Sequence, residues 1–446
     1  MRKGDPVTLK CSGLDEDGAA VGELDGIRVH LAGALPDETA RGRIVHLSPH
    51  RPEAWATLEP GGIEQASPLR VQPVCPGFGL CGGCVMQHLA YPAQVAWKGE
   101  RVLAQARSAG LEVPVAACVP SPRPLGYRNR SKLVYATGAG GRPVLGAYAP
   151  RSHQVIDLAG CRVAEPPLDD VARALLEILA RDQVSAYDER LASGTLRYAV
   201  LRVNHLGEVL ATLVTATEEW PDGHQIAEEL LASRAEVIGV VQNINPSRGN
   251  ALFGARSVPL AGRATLDDQI GAVRVRLSPT AFFQVNREVA ARLYADVLDA
   301  ARLDGTERVV DCYTGVGGVA LTLAARAAEV IGIEENPRAI EDAIASAELN
   351  HTGRTRFVCG DAAARLAELD GADVIVLNPP RRGCDQAVLA EVARLKPRQV
   401  LYVSCSPETL VRDLGRLAAL GLKVRSLQPY DMLPQTPHVE ILATLG

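Results

Sequence analysis

Hydrophobic and polar positions divide the chain into stretches with different rhythms. Over residues 1 to about 60, short runs such as Val7-Thr8-Leu9, Ile27-Arg28-Val29-His30-Leu31 and Arg43-Ile44-Val45-His46-Leu47 alternate in part, with Asp15-Glu16-Asp17-Gly18 and Leu35-Pro36-Asp37-Glu38 as turns between them. That spacing predicts short half-buried strands forming a small antiparallel β-barrel. A Gly- and Cys-rich loop follows at 75–84, then a helix over 88–110 that ends at Gly110. From about 120 to 280 the pattern is mixed, with strands at Ser131–Tyr135, Tyr198–Val203 and Val209–Thr215 and helices near 166–181 and 222–233. These predict a separate α+β region. Beyond 290, near-continuous apolar strands at Arg308–Asp311, Val330–Glu334, Thr355–Cys359, Asp373–Leu377 and Gln399–Ser404 alternate with helical stretches. A strand buried on both faces reads this way, so a doubly wound parallel sheet is predicted. Only a loop with Pro429, Pro434 and Pro437 separates Lys423–Leu427 from Val439–Thr444, which predicts an antiparallel pair at one edge. The expected fold class is α/β, with domains at 1–62 (β-barrel), 63–285 (central α+β) and 286–446 (doubly wound).

Composition narrows the function. Hydrophobic residues make up 47% of the 446, which excludes a disordered chain. With 47 Lys+Arg against 52 Asp+Glu the net charge is −5, so a generic nucleic-acid coat protein is disfavoured. Aromatic residues are only 4%, so base stacking must rest on particular positions. Locally the balance reverses: residues 113–156 hold Arg123, Arg128, Arg130, Lys132, Arg142 and Arg151 and no acidic residue, a candidate phosphate-binding surface. The first residues, MRKGDPVTLK, lack the apolar core of a secretory signal, and no apolar run reaches the length of a membrane span. A cytoplasmic protein without a membrane partner is expected. Thiols stay reduced there, so ten cysteines call for another explanation than disulfides. Cys75, Cys81 and Cys84 crowd into ten residues and point to a metal centre. On spacing alone this set, with one remote cysteine, fits zinc as well as a four-iron cluster.

In open α/β sheets, ligands bind outside the carboxyl ends of the strands. Those positions are Asp311, Glu334, Asp361, Asn378 and Cys405. The first strand runs into Asp311-Cys312-Tyr313-Thr314-Gly315-Val316-Gly317-Gly318, a loop whose glycines admit a ligand close to the backbone. Glu334 stands where a carboxylate accepts ribose hydroxyls. The G-x-G-G spacing differs from the dinucleotide fingerprint, which disfavours NAD and favours an adenosine ligand without a pyrophosphate, such as S-adenosylmethionine. Asn378-Pro379-Pro380-Arg381 is either a proline-stiffened turn or an amide presented to a flat base. Cys405 precedes Ser406-Pro407-Glu408, which reads as a helix N-cap, Pro at the first position and an acidic residue in the first turn. A thiol there is expected to have a lowered pKa.

Together these residues resemble the RNA uracil-C5 methyltransferases, and the resemblance covers essentially the whole length. The first 62 residues resemble a TRAM domain, with Gly33-Ala34-Leu35-Pro36 as its turn. Cys75-Pro-Gly-Phe-Gly-Leu-Cys81-Gly-Gly-Cys84, with Gln87 and His88, resembles the family's iron–sulfur motif. Phe282-Phe283-Gln284-Val285-Asn286 resembles its cofactor-contacting motif, and Ser404-Cys405-Ser406-Pro407 and His438-Val439-Glu440 resemble its nucleophile and base motifs. The resemblance implies a Rossmann-like C-terminal domain that uses S-adenosyl-L-methionine, with Gln284, Tyr313, Gly318, Glu334, Asp361 and Asn378 lining the cofactor and base crevice. It implies Cys405 as nucleophile, Glu440 as proton acceptor, and a [4Fe-4S] cluster held by Cys75, Cys81, Cys84 and Cys161. RNA is the implied partner, ribosomal RNA ahead of transfer RNA, and the expected enzyme is a monomer. Position 378 is Asn where the family usually has Asp, and position 318 is Gly where many members carry Asn. The amide leaves cytosine as an alternative base. A non-catalytic RNA-binding protein would be expected to lack Cys405 or Glu440, and both are present.

Overall fold

The computed structural model describes every residue except Arg151, Ala159 and Asn250. Its contacts group the chain into two compact units. One comprises Met1–Trp97 with Tyr148–Gln154 and Leu433–Pro437, and the other comprises Lys98–Ala147, Val155–Met432 and His438–Gly446. Most of the central region and of the C-terminal region, read from the sequence as separate domains, fall together in the second unit, while residues 63–97, Tyr148–Gln154 and Leu433–Pro437 belong to the first. One reason is the hairpin Leu266–Ile270 with Val273–Leu277. Leu266 packs on Leu210 and Val241 of the central sheet, while Ile270, Val273, Val275 and Leu277 join the core around the C-terminal sheet.

In the first unit, six strands form one sheet in the order Pro6–Lys10, Thr39–Leu47, Glu53–Gln65, Ile27–Ala32, Ala20–Leu24, Gly13–Leu14. Alternate residues Val7, Leu9, Val29, Leu31, Ile44, Ala54 and Ala56 fill its core. Pairing is antiparallel apart from Ile27–Ala32, which runs parallel to Glu53–Gln65. The helix Tyr91–Ser108 follows the cysteine loop, and Gly110 beyond it has φ +71°.

The central sheet of the second unit has seven strands. Arg130–Thr137, Leu196–Val203 and Val209–Thr215 are neighbours in it, with helices Pro166–Arg181 and Gly223–Ser233 on one face. The other seven-stranded sheet runs Thr355–Cys359, Glu329–Glu334, Arg308–Cys312, Val374–Leu377, Gln399–Ser404, Glu440–Leu445, Val424–Tyr430. Its first five strands are parallel, and four of them are buried on both faces by separate apolar cores, whereas the edge strand Thr355–Cys359 is only half-buried. The last two pair antiparallel with each other, as expected, and Glu440–Leu445 also pairs antiparallel with Gln399–Ser404. The final strand is therefore inserted between its predecessor and the parallel set. No helix among the described residues is long and apolar enough to cross a membrane.

Candidate active site

Parallel strands deliver their last residues to one edge of the sheet, and an antiparallel strand delivers its first residue there. This places Asp311, Glu334, Asn378 and Cys405 at strand ends, and Glu440 at a strand start, along one rim. Backbone bonds tie the rim together. Gly360 N–H donates to Glu334 O at 2.9 Å, and Asn378 N–H donates to Cys312 O at 3.3 Å.

The glycine loop follows the central strand Arg308–Cys312. Asp311 is fully buried, and its Oδ2 accepts from Thr314 Oγ1 at 2.6 Å. Its Oδ1 has no partner among the described residues. Burial pushes this carboxyl up to about 7 against the pull of the Thr314 bond. Tyr313 takes φ +62°, a left-handed conformation uncommon for a bulky residue and typical of a constrained site. Gly317 has φ +86°, and a side chain there would also meet Phe357 at 3.0 Å. Glu334 Oε2 accepts from Gly315 N–H at 3.1 Å and Oε1 from Asn336 N–H at 2.9 Å, so its carboxylate is held against the loop. An orphaned buried carboxylate oxygen, a backbone-lined turn and a fixed carboxylate fit an adenosine ligand bearing a cationic amino-acid end. Asp361 is the N-cap of Ala362–Ala367, accepting from Ala364 N–H at 2.9 Å.

The segment before the helix Arg287–Ala301 is anchored from the central sheet. Asn129 donates from Nδ2 to Gln284 O at 2.9 Å and from its backbone to Val285 O at 3.0 Å. Asn286 caps the helix through Val289 N–H. Gln284 and Phe283 are buried, whereas Phe282 is 67% exposed.

Ser404 is paired with Ile441 in the antiparallel ladder. Continued by one residue, that register sets Cys405 opposite Glu440. The thiol feels that carboxylate: burial first, then the Glu440 charge, raises the Cys405 thiol, while Arg381 lowers it. Glu440 is pushed up to about 7 by burial, opposed by the same Arg381. The helix after Cys405 is capped as read from the sequence, Ser406 accepting from Thr409 N–H with Pro407 at the first position. The expected lowering of the thiol is not found, because desolvation and a facing carboxylate outweigh the helix end. Arg381 was visible in the Asn-Pro-Pro-Arg turn, but nothing local to that turn reveals that its charge reaches both groups. Tyr294 carried no sequence signal at all, yet it is buried and its hydroxyl feels the charges of Asp311 and Glu440.

The metal ligands implied by the family resemblance fall in both units, three in the first and Cys161 in the second. Among the described residues no three His, Cys, Asp or Glu side chains form a metal-holding group. Cys75, Cys81 and Cys84 are half-buried in the first unit, where Gly83 N–H donates to Cys81 Sγ at 3.3 Å. Cys161, also half-buried, packs against the core of the central sheet. Of the basic run, Arg123 pairs with Glu288 at 3.0 Å, Arg142 is exposed, and Arg151 lies outside the described residues. Arg130 and Arg202 are cross-strand partners. Burial is the first cause lowering both; Arg128 adds to it for Arg130, and Arg130 for Arg202, which falls to about 9, and Arg202 Nη1 has no partner among the described residues.

The family model described as tRNA (uracil-5-)-methyltransferase matches residues 264–445. An uncharacterized RNA methyltransferase of Geobacter sulfurreducens is 42% identical over all of this chain and 90% of its own length. One from Listeria innocua is 36% identical over all of this chain and 98% of its own. Among solved structures, the Pyrococcus abyssi tRNA (uracil-54, C5)-methyltransferase in complex with S-adenosyl-L-homocysteine is 26% identical, with a TM-score of 0.79, covering 99% of this chain and 100% of that one.

Proposed function

Because this chain belongs to the RNA (uracil-5-)-methyltransferase family and is an S-adenosylmethionine-dependent RNA methyltransferase, we propose that it methylates C5 of a uridine in RNA through a covalent Cys405 adduct. The observation that carries this reading is the ladder register that sets Cys405 opposite Glu440, with Arg381 acting on both. C5 of uracil is a weak nucleophile. The Cys405 thiolate forms a bond to C6, and the displaced π electrons move to O4, leaving C5 electron-rich. When bound at the glycine loop, S-adenosylmethionine supplies an electrophilic methyl group. Glu440 then takes the C5 proton, the C5–C6 double bond re-forms, and the C6–S bond breaks to return the thiolate. A carboxyl near 7 is well matched to accepting a proton at neutral pH. Gln284, Tyr313, Glu334, Asp361 and Asn378 are assigned to the cofactor and base crevice.

RNA would lie on the basic face of Arg130–Thr137, where burial and a neighbouring arginine lower both Arg130 and Lys132 and a phosphate would relieve the repulsion. The target base must be unstacked to enter the rim, and exposed Phe282 offers a ring to receive it. In the first unit Trp55 stacks on His30 at 5.0 Å and meets His46 at 5.4 Å, which supports an RNA-facing role for that TRAM-like sheet. Ribosomal RNA is the first target, as the TRAM and cysteine motifs favour. Full-length likeness to an enzyme named for transfer-RNA uracil-54 supports transfer RNA as the second. Mapping 5-methyluridine and 5-methylcytidine in both RNAs, from cells with and without the gene, tests this. One uridine losing its methyl group is expected, and loss of 5-methylcytidine alone would overturn the uracil reading.

We further propose a [4Fe-4S] cluster on Cys75, Cys81, Cys84 and Cys161. Anaerobically purified protein should be brown and hold about four irons per chain. Colourless protein with stoichiometric zinc would decide for the rival metal.

A further inference from the structure

Gly318 begins the short helix Gly318–Ala324. Its backbone does not demand glycine, since its φ is not among the positive ones. What excludes a side chain is Tyr294. A Cβ at position 318 would lie 3.0 Å from both Cε2 and Oη of that tyrosine and 3.3 Å from Cζ. Tyr294 comes from the packed helix Arg287–Ala301 and is only 8% exposed, with its ring in the core beside Val316 and Val319. The space that a side chain at 318 would fill is therefore occupied by a phenol arriving from another element, with its oxygen beside the cofactor loop.

We propose that Tyr294 is a cofactor-binding residue of this enzyme, its hydroxyl oxygen supplying, at the cationic methionine end of S-adenosylmethionine, the polar contact that a side chain at position 318 would otherwise provide. The proposal rests on the S-adenosylmethionine reading given above. A cation is the chemistry this corner fits. Asp311 offers a buried Oδ1 without a hydrogen-bond partner among the described residues, and Asp311 and Glu440 are the two charges that Tyr294 feels. Burial keeps the phenol protonated, and its oxygen keeps lone pairs able to accept from a bound cation. Both the ammonium and the sulfonium of the cofactor meet this description.

Calorimetric binding of S-adenosylmethionine and S-adenosylhomocysteine to the intact protein tests the idea without turnover. Tyr294→Phe keeps the ring and removes only the oxygen, so apo thermal stability should change little. Loss of a hydrogen bond to a charged group is expected to weaken binding about tenfold. Equal weakening for the two ligands places the hydroxyl at the ammonium. Weakening confined to S-adenosylmethionine places it at the sulfonium, which the homologue lacks. Gly318→Asn alone should lower the melting temperature, because the ring must move. Gly318→Asn combined with Tyr294→Val should be more stable than the two single losses combined predict, and should bind the cofactor better than Tyr294→Val alone. Wild-type affinity of Tyr294→Phe for both ligands would overturn the proposal while leaving the cofactor reading intact. Failure of the wild-type protein to bind either ligand would overturn both.

Discussion

Cys405→Ala should reduce methyl transfer by more than about a thousandfold while leaving S-adenosylhomocysteine binding within about twofold of wild type. Without the sulfur, nothing adds to C6 and C5 never acquires the electron density to attack a methyl group. The cofactor loop is built from other elements, Arg308–Cys312 and the turn after it, and does not need the thiol. Single-turnover assays with labelled methyl donor, alongside calorimetry, separate the two effects. Measurable turnover by the alanine variant would remove the covalent route. Cysteine here carries a raised pKa, so wild-type activity should climb with pH through neutrality as thiolate forms.

Glu440→Gln should trap the enzyme on RNA. The adduct and the methylated adduct form upstream of proton removal, but elimination across C5–C6 requires the proton to leave first. Denaturing gels with labelled RNA should show a covalent complex that depends on both Cys405 and S-adenosylmethionine, with product release reduced by about a hundredfold or more. A folded variant that turns over normally and shows no trapped complex would remove Glu440 from the chemistry. Stability gives an independent readout. A folded pKa of about 7, above the ordinary 4.5, means that the native state holds this proton more tightly than the unfolded chain. The associated stabilisation is complete below about 4.5 and is lost as pH rises through 7. At pH 8 the wild type therefore carries a buried carboxylate that the amide variant lacks, a difference worth roughly 3 kcal/mol at about 1.36 kcal/mol per unit. The melting temperature of Glu440→Gln relative to wild type should rise between about pH 5 and pH 8. A constant difference would contradict the buried-carboxyl assignment.

The sequence by itself determined what is local. Short apolar runs of four to six residues bounded by polar ends marked the strands of the parallel sheet, and their ends named the rim residues in order. The helix cap at Ser406, the end of the helix before Gly110 and the glycine turn after Asp311 were also legible, since each depends on a few adjacent residues.

Only the tertiary structure decided what depends on partners distant in the chain. Insertion of Glu440–Leu445 between two other strands, with the register that faces Glu440 toward Cys405, is a choice among pairings that no alternation pattern distinguishes. The acidity of Cys405 followed the same logic. A helix N-terminus is readable from Ser406-Pro407-Glu408, but burial and an opposing carboxylate come from folding, and they reversed the sign. Arg381 and Tyr294 acquire their places through loop return and helix packing, and glycine at 318 becomes intelligible only once Tyr294 is seen filling its space. Charge, periodicity and capping are properties of neighbours along the chain; proton affinity and shape belong to neighbours in space.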